Sequence, residues 1–143
     1  MTDRWQLTGS GAEAYEKFQV PSMFGPLAEV FLQNMPLRPG EHVLDVACGT
    51  GIVTRLAAAR IGSAGSITGL DLNAGMLEVA ANNAPDAVVT CKWQQGDAED
   101  MPFEDASFDV VLCQQGLQFV PDKQAAAREM TRVLKPNGRV GLC

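Results

Sequence analysis

Three short segments of this 143-residue chain combine glycines with carboxylate side chains, a pairing suited to a nucleoside-containing ligand. They are DVACGTG (residues 45–51), the strand-like SITGLD that ends at Asp71, and Gly96-Asp97-Ala98. Glycines let the backbone bend against a ligand, and a following helix N-terminus favours a phosphate or a carboxylate. A carboxylate such as Asp71 can accept both hydroxyls of a ribose, and Asp97 can accept an exocyclic amine. Together the segments predict an adenosine site with an anionic group at the glycine turn.

Each segment has a plainer interpretation when it is taken alone. Gly49 and Gly51 are typical of any tight turn between a strand and a helix. Asp71 lies just before a helix that Asn73 can cap, and acids are common in that position. Asp97 is followed by further acidic residues, as in an ordinary surface loop. The prediction of a ligand site therefore depends on the three segments occurring together.

The glycine spacing distinguishes between two kinds of anion. Dinucleotide-binding turns carry G-x-G-x-x-G, whose third glycine lets the helix pack closely on the strand. Counting from Gly49, this sequence has Thr54 in place of the third glycine. The sequence therefore favours an amino-acid carboxylate over a pyrophosphate, and a nicotinamide-dependent oxidoreductase domain is the less favoured alternative.

The elements that must position these residues alternate between strands and helices after residue 40. The apolar run HVLDVA (residues 42–47) is typical of a parallel strand buried on both faces. Further strands are predicted at 66–71, 87–94, 108–114 and from 139 onward, with helices at 52–61, 74–83 and 123–134 and a sharp turn at 135–138. Such units form an open parallel sheet that binds ligands at the carboxyl ends of its strands, where all three segments fall.

Residues 1–40 are predicted to form an N-terminal helical region ahead of a ligand-binding domain at 41–143. A short amphipathic helix is expected over residues 12–19. Beyond Pro21, apolar residues recur at the spacing of one helix face. These residues are Phe24, Leu27, Ala28, Phe31, Leu32 and Met35. Pro36 and Pro39 should end that second helix.

Composition excludes several classes of protein. With 46% hydrophobic and 20% charged residues the chain is an ordinary globular one. A net charge of −6 without a Lys/Arg cluster argues against a nucleic-acid partner. No apolar run predicts a membrane span, and the N-terminus lacks the apolar core of a signal peptide. The spacing of the four cysteines predicts no metal site and suggests reduced thiols in a cytoplasmic protein. The only histidine, His42, is expected to be a surface strand residue.

Four motifs in order resemble class I S-adenosylmethionine-dependent methyltransferases, in the small-molecule branch of ubiquinone- and menaquinone-biosynthesis-like enzymes. They are VLDVACGTG (43–51), GLDLNAGML (69–77), GDAEDMPFEDASFDVVLCQQGLQFVPD (96–122) and REMTRVLKPNGRV (128–140). Residues 5–29 also resemble the helical N-terminal region of that branch. The family usually has glycine where this chain has Ala47.

The resemblance implies a role for each candidate residue at an S-adenosylmethionine site. It implies that Asp45 orients the glycine turn and reaches the methionine ammonium, that Asp71 holds the ribose and that Asp97 accepts from the adenine amine. The turn itself would be shaped by Ala47, Gly49 and Gly51. Gln114 and Gln115 would lie beside the sulfonium. The remaining implied cofactor contacts are Leu72, Met76, Ala98, Tyr15 and Phe18. The resemblance gives no catalytic base.

The implied fold is a Rossmann-like parallel sheet with helices on both faces. The family sheet has seven strands in the order 3-2-1-4-5-7-6, whereas only five are predicted here. We therefore expect the chain to lack the last two strands and to expose the edge of its fifth strand to pairing with another copy.

The function expected from the resemblance is methyl transfer from S-adenosylmethionine to a small molecule, with S-adenosylhomocysteine as the product. The acceptor is not predicted. The alternative is a module that binds S-adenosylmethionine without catalysis because of the missing strands.

Overall fold

The computed structural model describes residue 7, residues 9–84 and residues 89–143. Three helical segments come first, followed by strands that alternate with helices. In chain order the elements are α1 (Ser10–Ala14), a π-helix (Tyr15–Phe24), α2 (Gly25–Asn34), β1 (His42–Val46), α3 (Ile52–Ile61), β2 (Ser66–Asp71), α4 (Ala74–Asn82), β3 (Thr90–Gln95), β4 (Phe108–Cys113), a 3-10 helix (Leu117–Phe119), α5 (Lys123–Val133) and β5 (Leu134–Leu142).

The described strands form one parallel sheet in the order β3-β2-β1-β4-β5, which confirms the predicted fold class. β1 lies at the centre, with Asp45 paired with Gly69 of β2 on one side and with Leu112 of β4 on the other. The chain leaves β1 first toward β2 and later crosses to β4. The carboxyl end of β1 is therefore the switch point at which sheets of this kind open a crevice for ligands.

Two hydrophobic clusters cover the two faces of the sheet. One packs α2 and α3 on Val43, Ile67, Val110 and their neighbours. The other packs α5 and the loop before β4 on Leu44, Leu70 and Val111. Because successive side chains of a strand point to opposite faces, both faces of β1 are apolar, which explains its nearly continuous hydrophobic run.

The N-terminal region differs from the predicted pair of helices separated at Pro21. The chain stays helical from Ser10 to Asn34, and Pro21 lies inside the π-helix. The amide of Gly25 reaches back five residues to the carbonyl of Val20, the spacing of a π-turn. The predicted boundary at residue 40 stays a prediction. Residues of α2 pack in the same hydrophobic cluster as residues of the central strands.

The two outer strands differ from their predicted bounds. Residues 87 and 88 of the predicted third strand lie outside the described residues, and β3 runs from Thr90 to Gln95. The predicted turn at 135–138 lies inside β5 as a register shift, in which Leu134 and Arg139 pair with Phe108 and Val110. Asn137 has a φ of 65°, which its short polar side chain tolerates.

Within the described part of the chain, none of the helices combines the length and the apolar character that a bilayer crossing needs.

Candidate functional site

A cavity of about 590 Å³ opens where the carboxyl ends of β1, β2, β3 and β4 meet. Residues that follow these strands form its floor, and the π-helix and the segment after β4 form its walls. Its lining includes most of the residues predicted for the ligand site, namely Tyr15, Asp45, Ala47, Gly49, Asp71, Leu72, Met76, Asp97, Ala98, Gln114 and Gln115. The topology of the sheet thus brings together residues that are as much as 100 positions apart in the sequence.

The glycine loop, residues 47–51, passes from β1 into α3 through three left-handed residues. Ala47, Gly49 and Gly51 have φ values of 55°, 56° and 86°. Gly49 donates its amide hydrogen to Oδ2 of Asp71 at 2.8 Å, so the carboxylate at the end of β2 fixes the loop. Ala47 adopts a left-handed conformation that glycine reaches more easily, which agrees with the glycine that the resemblance implies at this position.

Asp45 is buried beneath this loop with a relative exposure of 1%. Its Oδ2 accepts a hydrogen bond of 2.6 Å from the hydroxyl of Thr54 on α3. Burial raises the pKa of Asp45 to about 7, with a further contribution from the nearby charge of Asp71, while the Thr54 hydrogen bond acts in the opposite direction. The residue in place of a third glycine therefore supports the buried acid.

Asp71 receives hydrogen bonds from two different elements. Besides Gly49, the amide of Asn73 donates to Oδ1 at 2.8 Å. Burial raises the pKa of Asp71, although these amide donors lower it in part. A carboxylate has about four acceptor positions, so these amides leave acceptor capacity on Asp71 for a hydroxyl of a ligand.

Two buried polar atoms of the cavity lining have no hydrogen-bond partner among the described residues. Asn73 uses its side-chain oxygen to cap α4, where it accepts from Gly75 and Met76, and its Nδ2 atom is left over. Gln114 donates from Nε2 to the carbonyl of Phe24 at 3.1 Å, and its Oε1 atom is left over. Buried polar groups in native proteins nearly always find partners, so this donor and this acceptor suit a polar ligand.

The π-helix lies across the glycine loop. The rings of Tyr15 and Phe24 stack with centroids 5.1 Å apart, and a Cβ atom added to Gly49 would lie 4.0 Å from the Tyr15 ring. Burial raises the pKa of Tyr15 to about 12, helped by Asp71 and the other nearby carboxylates. Its phenol group therefore keeps its proton at neutral pH.

The loop that carries Asp97 is held by α5. Asp97 Oδ1 accepts from the amide of Glu99 at 3.0 Å. Farther along, Glu129 accepts from the amide of Met101, and Arg132 donates to the carbonyls of Met101 and Phe103. The sequence indicates only a loop here and carries no signal for its attachment to α5.

Two of the predicted residues, Gly51 and Phe18, are not part of the cavity lining. Phe18 is 62% exposed, and the ammonium of Lys17 lies 5.3 Å from its ring centroid. A Cβ atom added to Gly51 would lie 2.6 Å from the Trp93 ring, so this glycine makes room for a tryptophan. The geometry gives Gly51 a packing role and gives Phe18 no contact with the cavity.

Trp93 is the packing residue that the sequence analysis missed. Its ring also lies within 2.7 Å of the position a Cβ atom would take on Gly69. Two glycines on different elements thus leave space for one ring beneath the glycine loop. A bulky aromatic residue in a strand that is otherwise polar was the available signal.

Other cavity residues were not predicted as individual contacts, although most of them lie inside the four motifs or directly beside one. They are Gln19, Phe24, Cys48, Ile52, Val53, Leu70, Asn73, Gly96, Gly116, Phe119, Val120 and Pro121. Of these, Cys48 could be mistaken for a nucleophile. Burial raises the pKa of its thiol well above the usual range, with Asp45 and Asp71 adding to the effect, so the thiol stays protonated.

Comparison with known proteins gives consistent similarities. Residues 44–142 match the family model described as a methyltransferase domain. Over 109 residues the chain is 44% identical to a demethylmenaquinone methyltransferase of Staphylococcus aureus. That match covers 76% of this chain and 45% of the relative, so the chain spans about half of the relative's length.

Two solved structures have a similar fold. The YcgJ protein of Bacillus subtilis superposes with a TM-score of 0.73 at 32% identity, covering 80% of this chain and 48% of that one. An arsenic(III) S-adenosylmethionine methyltransferase of Chlamydomonas reinhardtii superposes with a TM-score of 0.69 at 33% identity, covering 73% and 38%.

Proposed function

Because this chain belongs to the class I S-adenosylmethionine-dependent methyltransferase family, we propose that its cavity binds S-adenosylmethionine for methyl transfer to a small molecule. One observation carries the proposal for this particular cavity. Two carboxylates, the buried Asp45 and the half-buried Asp71, lie at neighbouring strand ends on either side of a glycine loop. No cationic side chain among the described residues is bonded to either acid. Such acids suit a ligand that brings its own positive charge and hydroxyl donors.

The donor set fits S-adenosylmethionine in charge and in hydrogen-bonding capacity. The molecule carries an ammonium and a sulfonium, which complement Asp45 and Asp71. Burial and the charge of Asp71 raise the pKa of Asp45, and a positive charge on the ligand would offset both effects. Its ribose hydroxyls can donate to the acceptor positions left on Asp71. Its polar atoms can also satisfy the unpartnered Nδ2 of Asn73 and Oε1 of Gln114. The cavity of about 590 Å³ lies in the range of small-molecule sites.

We assign the following roles as part of this proposal. Asp45 would hold the methionine ammonium, Asp71 the ribose hydroxyls and Asp97 the adenine amine. Ala47 and Gly49 would follow the methionine chain. The adenine ring would lie among Leu72, Met76 and Ala98, with Gln114 and Gln115 at the reacting end and Tyr15 above the loop. All of these side chains line the cavity.

The bound cofactor would supply a methyl group that its sulfonium already activates. The protein then has to orient the two reactants and to keep water away from them. The stacked Tyr15 and Phe24 exclude water on one side of the cavity, and Asp45 and Asp71 fix the direction of the ligand. Alignment of this kind accounts for much of the rate of a bimolecular displacement. We assign no general base, since the protonated Cys48 and Tyr15 are unsuited to that role.

The same proposal covers the methyl acceptor, the cellular location of the protein and its pairing with a second copy. The acceptor would be a small molecule, as the printed name of the Staphylococcus aureus relative suggests for that protein. A cytoplasmic location is supported by all four cysteines being free thiols. Pairing of two copies through β5 is supported by the exposed Val140 and Leu142, and sedimentation as a strict monomer at high concentration would contradict it.

Calorimetric titration with S-adenosylhomocysteine tests the proposed function, with NAD as the control ligand. We expect saturable binding of S-adenosylhomocysteine only. Asp71→Asn should weaken it by roughly 100-fold, because two charge-assisted hydrogen bonds contribute about 1.5 kcal/mol or more each. Glu78→Gln, which removes the same charge from an exposed position on α4, is the matched control and should bind normally. Binding of NAD alone, or an unaffected Asp71→Asn variant, would contradict the assignment.

A separate measurement distinguishes an enzyme from a module that only binds. Transfer of a labelled methyl group from S-adenosylmethionine to candidate phenol, quinol and amine acceptors should leave S-adenosylhomocysteine in equal amount. Tight cofactor binding without label transfer to any acceptor class would favour the non-catalytic alternative for this chain.

A further inference from the structure

One ionic network outside the cavity lining connects the N-terminal helices with the glycine loop. Glu16 of the π-helix forms a salt bridge of 2.6 Å with Arg55 of α3, and its other oxygen accepts from the hydroxyl of Thr50. Arg55 also donates to the carbonyl of Thr50 at 2.7 Å. Glu16 and Arg55 are each about four-fifths buried, and Thr50 is 1% exposed.

This network holds Thr50, a residue of the glycine loop whose neighbours restrain it little. Thr50 lies between Gly49 and Gly51, two glycines in left-handed conformations that cost little to change. Its hydroxyl and its carbonyl are both held from behind by the Glu16–Arg55 pair. From the cavity side, Asp71 holds Gly49 through its amide. The loop is therefore fixed at two adjacent residues by side chains from three different elements.

The same network also fixes the wall of the cavity above the loop. Glu16 directly follows Tyr15, whose ring lies over Gly49. The far end of the π-helix is tied to β4 by the hydrogen bond from Gln114 to the carbonyl of Phe24. Between these two attachments the π-helix crosses the cavity, so Glu16 anchors the end that lies over the methionine side of the proposed site.

We propose that Glu16 is a positioning residue for the cofactor, which acts through Thr50 and Arg55 to hold the glycine loop and Tyr15 in the binding-competent arrangement. The inference rests on the proposed function and adds a residue outside the cavity lining that controls the glycine loop. Glu16 is not part of the cavity lining, and the sequence did not predict a role for it. Its effect should appear in affinity and in the rate of ligand release, and much less in the stability of the fold.

The test compares Glu16→Gln with Glu29→Gln by titration with S-adenosylhomocysteine and by stopped-flow measurement of its release. Glu29 makes a salt bridge of 2.8 Å to Arg60 that also joins an N-terminal helix to α3. That pair holds no residue of the glycine loop, so Glu29→Gln is the control. We expect Glu16→Gln to weaken binding about tenfold, mostly through faster release, the effect of losing one charge-assisted hydrogen bond. Glu29→Gln should bind as the unmodified chain does. Urea unfolding should show that both variants are folded under the conditions of the titration, with Glu16→Gln the less stable because its ion pair is the more buried.

A second variant probes the other end of the network. Arg55→Gln should weaken binding by a similar factor, and the double variant should bind no more weakly than either single one, because both remove the same connection. Normal binding by Glu16→Gln, equal weakening by Glu29→Gln, or additive losses in the double variant would overturn the inference. If the unmodified chain does not bind S-adenosylhomocysteine at all, the proposed function itself is contradicted, and this inference with it.

Discussion

The pH dependence of ligand binding tests the role of Asp45 most directly. In the free protein, burial and the neighbouring Asp71 raise the pKa of Asp45 to about 7. If the ammonium group of the ligand needs the ionised carboxylate, binding must select that form. Affinity for S-adenosylhomocysteine should then rise with pH through the acidic range and level off above neutrality.

The size of the effect follows from the fraction of Asp45 that is ionised. With a pKa of about 7, roughly 3% of the protein carries the charge at pH 5.5 and about half at pH 7. Apparent affinity scales with the competent fraction, so it should increase about 15-fold over this interval. The amine and the carboxylate of the ligand keep their charges throughout, so the change belongs to the protein.

Calorimetry in two buffers of different ionisation enthalpy measures both the affinity and the protons released. At pH 7 about half a proton should leave per ligand bound, because half of the Asp45 groups are still protonated. Asp45→Asn removes the titrating group, and its weaker binding should not change with pH. A flat profile for the unmodified chain, or an unchanged slope in Asp45→Asn, would refute the reasoning.

The same group makes a prediction for stability with the opposite sign. A carboxyl whose pKa is raised from 3.8 to about 7 on folding lowers the free energy of unfolding as pH rises through that interval. The full loss is about 4 kcal/mol at 1.36 kcal/mol for each pKa unit. Asp45→Asn should therefore be more stable than the unmodified chain at pH 8 and not at pH 4, as measured by urea unfolding.

Two further substitutions test the surroundings of the glycine loop. Thr54→Val removes the hydroxyl that lowers the pKa of Asp45, so the midpoint of the binding profile should move to higher pH. Thr131→Val on α5, which loses only a bond to its own helix, is the control, and an equal displacement in both would count against the mechanism. Gly116→Ala places a Cβ atom 2.4 Å from that of Ala47. It should cost about 1–3 kcal/mol in urea unfolding, and adding Ala47→Gly should restore most of it. A single variant as stable as the unmodified chain would show that the contact relaxes freely.

The positions of the strand ends could be read from the sequence because local patterns encode them. The hydrophobic run of β1 and the Asn73 cap of α4 are local signals, and each lies where predicted. A helix cap depends on a side chain and an amide only two or three residues apart. Because crossovers between parallel strands are right-handed, only a few arrangements of these elements in a parallel sheet are possible.

The N-terminal wall and the outer strands were less predictable because their conformation depends on what they pack against. Pro21 normally ends a helix, yet here a π-helix continues through it, and the stacking of Tyr15 on Phe24 accompanies this geometry. The turn expected before residue 139 became an irregular part of β5, since pairing with β4 extends to Leu134. Tertiary contacts outweighed local preference in both places.

The sequence by itself determined the type of the site: the order of the motifs, the acids at the strand ends and the family. Only the tertiary structure decided how the site is supported. It placed Trp93 in the space left by Gly51 and Gly69, and it joined Glu16 to Thr50 across 34 positions. It also gave Asp45 its raised pKa, because burial depends on every element that surrounds the group. Spacing along a chain reports neighbours on one element, whereas burial and long-range contacts arise when several elements meet.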